Sequence, residues 1–220
     1  MTDAIHCPCG LGNRVAAMAN GLSRAESIRF NWPVNAHCPV SAYEMFPGGV
    51  PGVEFLPGTN RPEPPTRWGG LLAHCWDAAA DRQRANQAYA EIMAAMVGTP
   101  MWRAPEVAIL GRFHRNPGAD PIALADAAIS RGWADTWGGV FVMSDCHRDL
   151  IAARFAQAGF RTVMPQSRPL PHDLERTRDD VLDYACDWAT LLSARRIVAL
   201  DGPASALHPA RAAGIEIIHA

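Results

Sequence analysis

The chain has 220 residues, 49% of them hydrophobic and 19% charged, with a net charge of −2. That is enough apolar material for one large domain or two small ones, so disorder is excluded as the organising state. Near neutrality also excludes a general attraction for nucleic acid or an anionic membrane, and any anionic ligand must be held by a few placed arginines.

The elements follow in chain order. Ile5 to Cys9 reads as a strand running into a glycine loop, after which Val15, Met18, Ala19 and Leu22 recur at helical spacing. Ser27 to Trp32 reads as a second strand closed by Pro33. Pro47 to Pro65 is rich in proline and glycine and reads as irregular surface loop. Helical character returns from Leu71 to Met96, with Gly98-Thr99-Pro100 as a stop signal. Strands are then expected at Val107 to Leu110, Val140 to Met143, Arg161 to Met164, Ile197 to Leu200 and Ile215 to Ile218. Helices are expected at Pro121 to Ile129, Ile151 to Ala158, Leu174 to Leu192 and Ala204 to Ala213.

Strands alternating with helices call for parallel sheets, because parallel neighbours need long crossovers. The fold class expected is α/β, in two halves divided near Gly98 to Pro105 and written here as 1–103 and 104–220. No apolar run reaches the roughly 18 to 20 residues that span a bilayer, and the N-terminus lacks a signal-peptide pattern, so a cytoplasmic location is expected. The six cysteines are read as mostly reduced, buried thiols, since a chain with its own core needs no disulfide staples.

Three segments carry chemistry. Glycines at a strand-to-helix junction, as in Cys9-Gly10-Leu11-Gly12-Asn13-Arg14, let a ligand approach the backbone where helix N-terminal amides face it. The same spacing also serves an ordinary tight turn with helix capping. A dinucleotide fingerprint fits less well: Val15 stands where a third small residue belongs, and Asn31-Trp32 where an acid should end the second strand. Arg112, at the end of a strand, is placed to hold an anion, or is a solvated surface cation. Ser144 and Asp145, at the end of the next strand, either receive a ligand or cap the following helix.

The run Gly10-Leu11-Gly12-Asn13-Arg14, with Ile28 to Trp32, Pro33, Asn35, Cys38 and Tyr43-Glu44-Met45-Phe46-Pro47, resembles the opening of the fucosyltransferase superfamily, the nodulation-type and protein O-fucosyltransferases. Leu110-Gly111-Arg112 is similar to that family's strand ending in His-x-Arg, with leucine at the histidine position and His114 and Arg115 shortly after. Phe141-Val142-Met143-Ser144-Asp145 resembles its strand ending in Ala-Thr-Asp, and Leu200-Asp201-Gly202-Pro203-Ala204-Ser205 its serine loop, here with a single serine.

The resemblance implies a two-domain, Rossmann-like GT-B fold in a small version, with an acceptor-side N-terminal half and a donor-binding C-terminal half. It implies that Gly10, Gly12, Asn13 and Arg14 line the acceptor side. Asn13 would face the reacting sugar and the acceptor, Arg112 would hold the donor diphosphate, Asp145 would contact the base, Ser144 would lie beside it on the donor side, and Ser205 would lie on the phosphate. The implied reaction is an inverting, metal-independent transfer of fucose or a related sugar from a GDP-sugar to a glycan or small-molecule hydroxyl, with no cofactor beyond that co-substrate. The competing expectation is a degenerate member that binds a sugar, a nucleotide or a partner without catalysis. Its basis is Leu110, the single serine and the short chain.

Other signals lead elsewhere and fail. His147-Arg148-Asp149-Leu150 spells the opening of a kinase catalytic loop, yet Arg154 stands where that loop needs asparagine. Histidine and cysteine adjoin four times, but neighbours on a strand point to opposite faces and there is no C-x-x-C pair to nucleate a metal site. Neither a G-x-S-x-G elbow nor a Walker-type phosphate loop is present.

Overall fold

The first strand, β1 (Ile5–His6), ends where Pro8 removes a ladder donor, three residues short of the sequence expectation. Helix α1 (Leu11–Leu22) begins immediately after Gly10, its N-cap, so Gly12, Asn13 and Arg14 form a first helical turn and not a loop. This chain is known from a computed structural model that describes residues 4–56, 81–98, 105–113, 116–133, 139–169, 175–201 and 207–220. The expected sites His114, Arg115 and Ser205 lie outside the described residues, as do Cys75 and the start of the helix expected from Leu71.

The chain divides into two units: Met1–Val97 with Glu175–Leu182, and Gly98–Leu174 with Asp183–Ala220. In the first, β1, β2 (Ile28–Asn31) and β3 (Val53–Leu56) form a parallel sheet in that order. Strand β3 lies within the stretch read as irregular loop. Gly49 and Gly52, both at positive φ, make the turn that delivers it to β2, and a Cβ on Gly52 would stand 2.9 Å from the Glu26 carbonyl. Helix α2 (Ala42–Met45) was not anticipated, although Ser41 and Glu44 form a capping box, the S-x-x-E signature of a helix start. Helix α3 (Arg82–Ala95), capped by Asp81, packs on α1. Ten of the twelve residues of α1 are buried.

The second unit holds β4 (Val107–Gly111), α4 (Pro121–Ser130), β5 (Val140–Ser144), α5 (Arg148–Gln157), β6 (Thr162–Val163), β7 (Arg196–Leu200), α7 (Leu207–Ala212) and β8 (Glu216–His219). Helix α6 (Arg178–Leu192) belongs to the first unit up to Leu182 and to the second from Asp183. The five strands are parallel in the order β6-β5-β4-β7-β8. Val107, Ile109, Val140, Val142, Val198 and Leu200 pack on one face with Ala125, Ala128, Ile151 and Phe155 of α4 and α5. Residues of the other parity, Ala108, Leu110, Phe141, Met143, Ile197 and Ala199, are buried as well. Burial on both faces is why these strands read as continuous apolar runs and not as alternating ones.

The α/β class and the parallel sheets are as expected from the sequence. Cysteine burial is only partly so: Cys7 and Cys38 are buried, whereas Cys9, Cys146 and Cys186 are partly exposed, and all five are free thiols. No helix among the described residues is long and apolar enough to cross a membrane.

Candidate functional site

In an open parallel sheet, ligands bind outside the carboxyl ends of the strands where the strand order reverses. Here the chain runs from β4 outward through β5 to β6 and returns to β7 on the other side of β4, so the switch lies between β4 and β7. The register pairs Gly111 with Ser144 on one side and with Leu200 on the other. The next residue of each strand is Asp145, Arg112 and Asp201, which form a charged row across the central rim. The pairing continues into this row, with Arg112 N donating to Leu200 O and Asp145 N to Gly111 O, both at 3.3 Å.

Within the row Arg112 and Asp145 are tied to each other, and the row as a whole to the loop after β4. Arg112 Nε lies 3.4 Å from Asp145 Oδ2, with the two side chains 23% and 14% exposed. This contact is an ion pair without hydrogen-bond alignment, since Nε is buried and makes no hydrogen bond among the described residues. Asp145 Oδ1 accepts from Phe113 N at 2.9 Å. Gly111 permits this closeness, because a Cβ there would stand 2.5 Å from Ser144 Oγ and 2.6 Å from the Phe113 ring.

On the far side Asp201 sits at φ 61° and accepts weakly from Asn116 Nδ2 at 3.4 Å. Its Oδ2 is buried and unpartnered among the described residues. Sequence reasoning passed over Asp201 and Asn116, and a carboxylate ending a strand beside the switch is the signal that could have found them.

The second unit therefore brings Arg112, Ser144 and Asp145 together. Arg112 is no freely solvated surface cation. Ser144 does not cap the following helix: it is buried, and its hydroxyl lies within hydrogen-bond reach of the carbonyls of Cys146 and Gly111. The N-cap of α5 is His147, in the left-handed region at φ 58° and making no side-chain cap bond. Burial pushes the neighbouring Cys146 thiol up from its ordinary pKa, with Asp145 adding to the effect.

The first unit places Gly10 and Gly12 at the head of α1, which has no side-chain cap, with Asn13 partly exposed in its first turn. Arg14, expected to line the acceptor side, is fully buried beneath the start of α1. Its Nε donates to Cys9 O at 2.6 Å, Nη2 to Asn35 Oδ1 at 3.2 Å, and its guanidinium carbon lies 4.7 Å over the Trp32 ring. Asn35 joins the segments, accepting from the amides of His37 and Cys38 at 3.1 Å and donating to Pro8 O at 2.7 Å. Arg14 therefore shapes the loop from inside. Burial lowers its pKa, against the opposing effects of Cys38, Cys7 and Cys9. At the carboxyl ends of β1 and β2, His6 pairs in register with Asn31, and His6 Nδ1 and Asn31 Oδ1 are buried without a hydrogen-bond partner among the described residues. Among those residues no group of three His, Cys, Asp or Glu is arranged to hold a metal ion.

Similarity to known structures agrees with this architecture. The chain is similar to NodZ alpha-1,6-fucosyltransferase soaked with GDP-fucose, with a TM-score of 0.60 at 13% identity, covering 97% of this chain and 92% of that one. It is similar to NodZ alpha-1,6-fucosyltransferase co-crystallized with GDP, with a TM-score of 0.56 at 13% identity, covering 96% and 92%. The fold is similar to that of a fucosyltransferase. The chain is thus α/β with Rossmann-like, parallel-sheet halves of the GT-B kind, in small form. No protein-family model and no curated protein matches the chain.

Proposed function

We propose that this protein is a glycosyltransferase that takes fucose or a related sugar from a GDP-sugar and passes it to a hydroxyl of a glycan or small molecule. The observation that carries the reading is Arg112, a half-buried guanidinium at the carboxyl rim beside the β4/β7 switch. A diphosphate leaving group gains charge as the glycosidic bond breaks, and a guanidinium held in a partly dry site offsets that charge through paired hydrogen bonds. The acceptor oxygen forms the new bond to the anomeric carbon, the bond to the diphosphate oxygen breaks, GDP leaves, and a general base takes the hydroxyl proton. The reaction inverts the anomeric centre and uses neither a metal nor a further cofactor. Ser205 supplements Arg112 at the phosphate. Asn13, with Gly10 and Gly12, lines the acceptor side of the 1–103 half, and Arg14 supports them from below. Fold likeness to structures prepared with GDP-fucose and GDP supports the choice of donor class.

A second reading, a binding module without turnover, is favoured by one feature: Leu110 occupies the position of the motif histidine and is buried in the sheet. The two are separated by following thermal stability and GDP release with GDP-fucose, GDP-mannose and GDP. A ligand at a hundredfold its dissociation constant adds about 2.7 kcal/mol. Stabilisation with release of GDP supports the transferase, stabilisation without release supports the module, and no stabilisation by any of the three removes both.

A further inference from the structure

In the row Asp145-Arg112-Asp201, the resemblance would make Asp145 a reader of the donor base. Its surroundings describe a different task. Oδ1 accepts from Phe113 N at 2.9 Å, and Oδ2 lies 3.4 Å from Arg112 Nε. A carboxylate offers about four lone-pair sites, and a guanine edge needs two of them free and outward. Here both oxygens are turned to the loop that follows β4. Asp145 also sets its charge on the Nε side of Arg112, in an ion pair at 3.4 Å. With the carboxylate charge on the Nε side, a bidentate anion would be met through the two terminal nitrogens.

We propose that Asp145 is the positioning residue of Arg112, orienting the guanidinium toward a diphosphate instead of reading a nucleotide base. This rests on the donor reading above and refines it. Base selectivity then lies with other residues, and Asp145 acts equally on every ligand that carries a diphosphate.

The test compares inorganic pyrophosphate, GDP and ADP binding to the unmodified chain and to Asp145→Asn. That substitution keeps an oxygen for Phe113 N while removing the charge, so a role confined to bracing the loop would leave affinity unchanged. The expected result is that the dissociation constants for pyrophosphate and GDP rise together by about threefold or more, with the preference for GDP over ADP held within about twofold. In the unmodified chain, the Arg112 Nε–H resonance is expected to move with the protonation of Asp145, a readout that does not depend on the variant folding. Loss of GDP binding alone with a collapsed GDP preference, tighter binding of both ligands, no change in either, or an Nε–H resonance that ignores Asp145 would each overturn the proposal. If the unmodified chain binds neither GDP nor pyrophosphate, the donor reading itself fails, an outcome distinct from all of these.

Discussion

Arg14 and Trp32 are stacked, with the guanidinium carbon 4.7 Å above the indole ring, while Arg14 Nε donates to the Cys9 carbonyl at 2.6 Å. The indole is itself fixed, since Trp32 Nε1 donates to Val40 O at 2.8 Å and the ring packs edge-on against Phe46 and Phe55. A lysine at position 14 keeps the charge but loses the planar fork, so it cannot keep both the bond to Cys9 O and the bond to Asn35 Oδ1. Arg14→Lys is expected to destabilise the protein by about 1–3 kcal/mol in urea denaturation. An unchanged midpoint would contradict the bracing role.

Gly111 is a second point where packing leaves no room. Its missing Cβ would fall 2.5 Å from Ser144 Oγ and 2.6 Å from Phe113 Cε2, both held in the rim. Gly111→Ala is expected to cost about 1–3 kcal/mol by overpacking. It should also weaken GDP binding, because Phe113 and Arg112 move together. A stable variant with normal GDP affinity would show that the rim tolerates displacement.

The core of the second unit was legible because its strands are short apolar runs separated by helical periodicity, and β4, β5 and β7 stand within a residue of their expected limits. Strand β3 was not. Val53–Leu56 follows Pro51-Gly52, and local turn signals mask a strand whose pairing with β2 is long-range. Arg112 and Asp145 were legible as strand-end residues, but their mutual contact depends on the register across β4 and β5, which periodicity does not encode. Arg14 was misread for a related reason. Lying on the first turn of α1, it looks like a mouth residue until the turn at Asn35 to Cys38 folds over it.

Two carboxylates titrate in opposite senses. Hydrogen bonds from the Arg178 side chain, and then from Ser41, hold Glu44 down at about 2. With the folded value below the ordinary 4.5, the stabilisation from this exposed pair is present above 4.5 and lost as pH falls through about 2. Arg178→Ala is expected to raise the Glu44 midpoint toward the ordinary value in an NMR titration of its carboxyl carbon. A midpoint that does not move would dismiss the pair.

Asp187 behaves in reverse. It is buried on α6 and accepts from the amides of Gln166 and Ser167 at 2.8 Å, and burial pushes its pKa above the ordinary 3.8 against those bonds. The folded state therefore binds this proton more tightly than the unfolded chain. The contribution is full below 3.8 and is lost as pH rises through the folded value. Melting temperatures of the unmodified chain and Asp187→Asn, compared across pH, should show the difference shifting against the unmodified chain over that window and flat above it. A difference that grows in its favour would reverse the sign.

The central claim is that Arg112, at the carboxyl rim of the five-stranded sheet, receives the diphosphate of a GDP-sugar. Calorimetric titration of GDP into the unmodified chain and into Arg112→Ala tests it most directly. Loss of a charge-assisted, bidentate contact should weaken binding by about 1.5–3 kcal/mol, roughly 10- to 150-fold. Equal affinity of the two proteins for GDP, or no binding to either, would contradict the account.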